Sequence, residues 1–305
     1  MERCQTIAPR TIEFAPPVIT TGGTIVAALF VVVTSPIVLV AWASMLVNCI
    51  ALFLTMKQLV WFASPQANKS ANLSERTAFY LLWPGMDLAA FQSRRPQELR
   101  IAAPSEWAAA AAKILLSAIV IGLLLPSTDH GFSTWVGIAG MLAGVLLVHC
   151  GLFHLLALIW QAAGSNVRPI MHAPLAATSL ADFWGRRWNL AFRDAAALIL
   201  FRPAAQRWGV AAATLLTYLA SGLLHDALIS LPARGGYGMP TLYFMLQYVG
   251  VICERLVFRD KTRKWNRVAN RATTAITVIL PLPLLFHKPF SENVILPILD
   301  AIRCN

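Results

Sequence analysis

The sequence predicts an all-α, polytopic integral membrane protein of about eight transmembrane helices, each requiring about 20 apolar residues to cross the hydrocarbon core. Three observations predict it. Of 305 residues, 57% are hydrophobic and 13% charged, against about 25% charged in ordinary soluble domains. Mean hydropathy is +0.62. Lys and Arg (25) outnumber Asp and Glu (14), for a net charge of +11, yet they gather in short loops between apolar runs. That placement orients a chain in a bilayer and argues against nucleic acid as the partner; membrane lipids are the expected surroundings. One membrane-embedded domain over residues 1–305 is the expected organisation.

The spans are taken in chain order. Residues 24–56 are apolar for 33 residues, too long for one helix of about 20. Thr34-Ser35-Pro36 breaks the run, because proline opens a helix well and interrupts one badly; spans near 18–34 and 36–57 result, with Trp61 and Phe62 at the interface. The first twenty residues hold Glu2, Glu13 and three prolines and no cleavage pattern, so the first span reads as an uncleaved anchor. Residues 58–106 form a polar segment with Lys69, Arg76, Arg94, Arg95 and Arg100. Within it Tyr80–Asp87 is an apolar patch ending in a turn that Asp87 caps, read as a re-entrant or interfacial piece. A span near 107–125 carries a lone Lys113, expected to snorkel, and is closed by Pro126. The next lies near 135–162 between Trp135 and Trp160. Basic segment 164–207 precedes a span near 208–231. The Gly-rich loop 232–238 leads to a span over Met239–Phe258, and basic segment Arg255–Arg271 to one near 272–287. Piece 290–303 is marginal in length.

Charge asymmetry sets the orientation. Segments expected on one side hold 2 (1–17), 5 (58–106), 6 (164–207) and 7 (255–271) Lys and Arg, whereas the other side holds none in 126–134, Arg234 in 232–238, and Lys288. The alternation predicts a cytoplasmic N-terminus. Five scattered cysteines with no CxxC pair point away from a disulfide framework or zinc site.

His225 is the residue to explain. An imidazole within an apolar span is costly and by default marks a function. At helical spacing Tyr218, Ser221, Gly222, His225 and Ile229 share one stripe, which therefore faces the protein interior or a water-filled cavity. The bland alternative is a histidine that bonds helices together. Upstream, Phe183, Trp184, Trp188, Leu190 and Phe192 alternate with arginines around Asn189, as in an interfacial amphipathic helix. Gln247 and Glu254, seven apart, share one face of their span and either line a cavity or bond another helix. His149 and His154 are five apart, about 140° around a helix, and the other histidines are dispersed, so no metal ligand set is assigned.

Ser179-Leu180-x-Asp182-Phe183-Trp184-Gly185-Arg186-Arg187-Trp188-Asn189, then Pro203, then Ser221-Gly222-x-x-His225, resembles the wax synthase branch of the membrane-bound O-acyltransferase superfamily. Met171-His172-Ala173-Pro174 before it, and Gln247 and Glu254 after it, extend the resemblance over 171–254; Tyr80–Asp87 carries a fainter one. The resemblance implies an acyltransferase core enclosing a tunnel, an acyl thioester donor, a hydroxyl acceptor, and Asn189 and His225 as the catalytic pair. Arg186, Arg187, Trp188, Ser221, Asp226, Gln247 and Glu254 are the residues expected to bind the substrates around that pair. The family often has Glu directly after the histidine; this chain has Asp226, whose shorter reach puts a direct role there in doubt.

The chemistry suits those residues. A neutral imidazole accepts the alcohol proton as the oxygen attacks the thioester carbonyl. An asparagine amide binds the acceptor hydroxyl or the developing oxyanion. No nucleophile motif sits beside His225, so direct transfer is expected, with Ser221 in a structural role. Arg186, Arg187 and Arg193 suit coenzyme A phosphates and serve equally as orientation signals. The expected reaction is wax-ester formation from acyl-CoA as co-substrate and a lipophilic alcohol, without metal or resident cofactor. Alternatives are a sterol-like, polyketide or sugar hydroxyl as acceptor, or a transporter with His225 and Glu254 as a proton relay. Transporters often show internal repeats, and none is visible; aspartate-rich prenyl-transfer sites are absent too.

Overall fold

The computed structural model describes residues 15–65, 71–93, 102–125, 133–257 and 267–304, and among them every regular element is helical. The N-terminal fourteen residues, Lys69, Arg94, Arg95, Arg100, Pro126 with the loop after it, and most of the third basic segment lie outside the described residues. Among the described residues, six helical stretches are long and apolar enough to cross a membrane: Thr21–Val38, Ala41–Ala63, Pro104–Leu124, Thr134–Ala162, Leu190–Ala233 and Arg267–Leu285. Eight were expected. The span over Met239–Val257 is a helix of 19 residues, but Gln247, Glu254 and Arg255 lower its apolarity below that of the six. Residues 290–303 break into a short helix, a π-helical turn and a final helix of 8 residues.

Helices α1 (Ala15–Val38) and α2 (Ala41–Ala63) form an antiparallel hairpin. The bend comes at Leu39-Val40, not at Ser35-Pro36; Pro36 is carried inside the last turn of α1. The carbonyl that this turn leaves without a helical partner is captured, since Arg234 donates to Pro36 O from Nε (3.1 Å) and Nη2 (2.6 Å). Polar groups bond the hairpin where lipid supplies no hydrophobic drive between helices. Ser35 Oγ donates to Asn48 Oδ1 (2.7 Å) and lies 2.9 Å from Ser44 Oγ. The opposite faces, with Val26, Phe30, Ile37 and Val38, are exposed as lipid-facing surfaces must be.

The segment after α2 packs inward. Helices α3 (Leu73–Leu81) and α4 (Leu88–Gln92) flank the turn Trp83–Met86, which is buried with Phe79, Phe91 and Trp61. Asp87 caps α4, its Oδ1 accepting from Ala90 N (3.0 Å), as the turn composition predicts. Lys57 of α2, fully buried, holds this turn: its Nζ donates to Gly85 O (2.5 Å) and sits 3.6 Å from the Phe79 ring centroid.

Helix α5 (Pro104–Leu124) lies against a long span made of α6 (Ser133–Val145), a π-helical turn over Leu146–Leu152, and α7 (Phe153–Ala162). Lys113 does not snorkel. Its Nζ lies 3.0 Å from His154 Nδ1 across the α5–α7 contact, while His149 packs its ring on Phe153.

The central pair is α9 (Arg202–His225) and α10 (Met239–Val257), approached through α8 (Leu190–Ala196). Gly209, at φ 80°, bends α9 beside Arg207-Trp208, where the sequence places the membrane entrance. Gly222 brings α9 and α10 together, since a Cβ there would lie 2.7 Å from Thr241 Cα. Gly222→Val is therefore expected to destabilise the protein by about 1–3 kcal/mol through forced separation of the helices. A melting curve of the detergent-purified variant that overlays wild type would refute it. Helix α11 (Arg267–Ile279) is tied to α10, the Val278 and Thr277 carbonyls accepting from Tyr243 and Gln247, and α12 (Leu296–Arg303) adds Leu299 to the second buried cluster, which includes Tyr243, Phe244, Phe286, Phe290 and Ile295.

Candidate active site

Residues 179–190 are built as a cap, a turn and a hinge. Ser179 starts a single helical turn over Leu180–Asp182, its Oγ accepting from Asp182 N (2.9 Å). The chain then widens into a π-helical turn over Phe183–Arg187. Trp188 is extended, and Asn189 turns left-handed (φ 39°, ψ 63°) to launch α8. Two backbone bonds hold the segment against 170–172: His172 N to Arg187 O and Leu190 N to Ile170 O, each 2.8 Å. Asparagine suits this corner because its short amide tolerates the left-handed region and caps a helix. Its Oδ1 accepts from Phe192 N (3.1 Å), and its own N–H meets Met171 Sδ. With Oδ1 so used, the half-buried side chain keeps its Nδ2 hydrogens without a protein acceptor among the described residues.

His225 ends α9. Its Nδ1 lies 2.7 Å from Ser221 O. A carbonyl only accepts, so in the neutral ring Nδ1 carries the proton and Nε2 the lone pair. Nε2 meets no protein donor among the described residues, and the ring packs on Phe244 with centroids 4.5 Å apart.

No hydrogen bond joins Asn189 to His225 among the described residues; a wall of rings connects them. Trp188 stacks on Phe183 (5.3 Å, 18°) and meets Trp184 edge-on (6.5 Å); Trp184 meets Phe244 (5.5 Å), which meets His225. Buried Gln247 positions the wall, accepting from Trp184 Nε1 (3.3 Å) and donating to Thr277 O (2.8 Å). Glu254 anchors the signature segment to α10: both its oxygens lie 2.8 Å from Leu180 N, at the open start of the Leu180–Asp182 turn. Arg187 is tied inward, donating from Nε to Asp182 Oδ2 (2.6 Å) and from Nη1 to Ala173 O. Arg186 is exposed. Ser221 is buried, and its carbonyl rather than its hydroxyl touches the histidine.

Asp226 is placed as a clamp. Its Oδ1 accepts from Ser230 Oγ (2.9 Å) and Gly238 N (2.8 Å), and its Oδ2 accepts from Thr241 N (3.2 Å) and the Thr241 hydroxyl. Four protein donors thus occupy the carboxylate.

Sequence reasoning missed the π-helical turns. Five are present among the described residues, and one directly follows His225 over Asp226–Ser230. Such turns occupy well under 1% of residues generally and cluster at functional sites. A signal for three of them exists: proline stands two residues after the turns ending at Phe201, Ser230 and Ile295, as Pro203, Pro232 and Pro297. Proline cannot donate to the carbonyl four residues back, and its ring collides with it; widening the preceding turn relieves the collision.

Comparison with known proteins meets this geometry at the same residues. The pattern described as "Membrane bound O-acyl transferase family" matches residues 167–246. The chain is similar to the "Long-chain-alcohol O-fatty-acyltransferase" of Simmondsia chinensis, 33% identical over 38% of this chain and 35% of that protein. It is similar to two Arabidopsis thaliana proteins, "Probable long-chain-alcohol O-fatty-acyltransferase 3" (33% over 40% of this chain and 39% of that protein) and "2" (29% over 62% and 58%). The chain thus spans between about a third and three-fifths of the length of these curated relatives. Residues 167–246, the stretch that carries the Phe183–Asn189 block and His225, thus resemble the membrane-bound O-acyltransferases, and the chain is similar over part of its length to the long-chain-alcohol O-fatty-acyltransferases.

Proposed function

We propose that this protein is a membrane O-acyltransferase that moves a fatty acyl group from acyl-CoA to the hydroxyl of a long-chain alcohol, releasing a wax ester and free coenzyme A. The observation that carries the reading is the state of His225. Its Nδ1 proton is committed to Ser221 O, so the free nitrogen is a base, inside the stretch that matches the membrane-bound O-acyl transferase pattern, in a chain similar to long-chain-alcohol transferases. In the proposed step Nε2 takes the alcohol proton as the oxygen attacks the thioester carbonyl. The C–O bond forms, the C–S bond breaks, and the histidine returns the proton to the departing thiolate. Asn189, with Nδ2 unclaimed, donates to the acceptor hydroxyl or the oxyanion. The aromatic wall from Trp188 to His225 supplies one side of an apolar tunnel for the chains. Exposed Arg186, on the basic side that we assign to the cytoplasm with the N-terminus, meets the coenzyme A phosphates. The reaction as written balances without a metal or redox partner.

Purified protein in detergent, given long-chain acyl-CoA and a series of alcohols, is expected to consume thioester and form ester in equal amounts. Ester with a long-chain alcohol upholds the reading. Thioester consumption that yields only free acid, or ester with none of the alcohols, overturns it.

A further inference from the structure

The turn after His225 is held by side chains that neither the family match nor the proposed chemistry assigns. In the π-helical turn over Asp226–Ser230, Leu231 N bonds to Asp226 O, five residues back. The carbonyl of Ala227 is thereby stranded. Its ordinary helical partner, the amide of Leu231, is already taken, and its π-type partner would be residue 232, a proline with no N–H. A stranded carbonyl inside a membrane protein is costly. Asn48 of α2 supplies the missing donor: its Nδ2 reaches Ala227 O at 3.2 Å. Asn48 is fully buried, its own Oδ1 held by Ser35 Oγ.

The other face of the turn is held from the C-terminal region. His287 Nδ1 accepts from Phe290 N (3.3 Å), which leaves the proton on Nε2. Nε2 lies 3.1 Å from Ser230 Oγ and donates to it; Ser230 Oγ in turn donates to Asp226 Oδ1. Ser230 and His287 are both buried. Gly236, at φ 73°, lets the loop pass over the His287 imidazole, where a Cβ would collide with the ring. Helix α2, helix α10 through Thr241, and His287 therefore converge on five residues, the first of them directly after His225.

We propose that Asn48 and His287 are positioning residues for His225: by satisfying the turn that Pro232 forces open, they set the direction in which Nε2 points. Closing this turn to the ordinary pitch would rotate α9 relative to the Leu231–Ala233 segment by about 100° per residue, swinging His225 relative to α10 and Phe244. The inference rests on the acyl-transfer reading only for its activity readout.

The test compares wild type, Pro232→Ala, His287→Leu and His287→Gln, purified in detergent. Each is scored for melting temperature, for kcat and KM with long-chain acyl-CoA and a long-chain alcohol, and for the carbethoxylation rate of His225 by diethyl pyrocarbonate, read by peptide mass spectrometry. Pro232→Ala removes a helix-hostile residue, so a merely structural turn predicts equal or greater stability and unchanged rates. Positioning predicts that stability with kcat lowered about tenfold or more, KM within about twofold, and a changed His225 carbethoxylation rate. His287→Leu is expected to lose similarly, and His287→Gln, whose amide still donates to Ser230, to recover most of it. Wild-type kcat and His225 reactivity in folded Pro232→Ala and His287→Leu would overturn the proposal; should His287→Leu fail to fold, Pro232→Ala decides alone. If wild type forms no ester with any pair, the acyl-transfer reading falls, and the His225 carbethoxylation rate still decides the positioning.

Discussion

The His225→Ala protein is expected to lose at least about 10²-fold in the rate of ester formation while keeping its wild-type melting temperature. Nδ1 is held by Ser221 O and the ring rests on Phe244, so what the variant lacks beyond one contact is the lone pair on Nε2. His225→Gln separates shape from chemistry. Glutamine fills much of the volume and can donate to Ser221 O, but its amide does not accept a proton near neutral pH. The two variants are expected to fail alike. Wild-type turnover in either, from a folded protein, would remove His225 from the mechanism.

For Asn189 the expected loss is also large, about 10²- to 10³-fold in kcat for removal of an oxyanion donor, and the structure dictates which substitution can read it. Alanine would confound the result, because it gives up the cap and resists the left-handed backbone at φ 39°. Glycine accepts that backbone freely and costs only a few tenths of a kcal/mol as a helix cap. Asn189→Gly therefore keeps the corner and deletes the amide. Asn189→Asp keeps the cap acceptor for Phe192 N and replaces the donor with a carboxylate. Both should retain the wild-type melting temperature and lose turnover. If Asn189→Gly turns over like wild type, Asn189 is a helix cap and nothing more.

How much of the fold was legible depends on the range over which each interaction acts. Helical membrane architecture was legible because hydrocarbon solvent demands long apolar runs, and composition alone exposes them. The bend at Gly209 was not read from the sequence, but the entry to the His225 span was legible in Arg207-Trp208, since a basic and aromatic pair at the membrane edge is a local signal. The Asp87 cap was legible for the same reason. The number of spans was not: whether the helix of Gln247, Glu254 and Arg255 crosses the bilayer depends on partners such as Thr277 O and Leu180 N, which are far off in sequence. Lys113 was misread because its partner His154 lies 41 residues away. Lys57 went unnoticed because only packing reveals a lysine sealed over Phe79.

The candidate site divides the same way. The sequence by itself determined that a histidine lies within an apolar span and that an aromatic, arginine-rich block ending in asparagine precedes it, because residue type and spacing along one helix are local facts. Pro232 also encodes the widened turn after His225 locally, by lacking an N–H. The tertiary structure alone decided what those residues do with their hydrogen bonds. It committed Asp226 to Ser230, Gly238 and Thr241 and tied Arg187 to Asp182. It made Gln247 a support for Trp184 and brought Asn48 and His287 to the turn beside His225. The physical reason is that a buried polar group takes whichever partner the packed helices bring within about 3 Å, and that partner lies elsewhere in the chain.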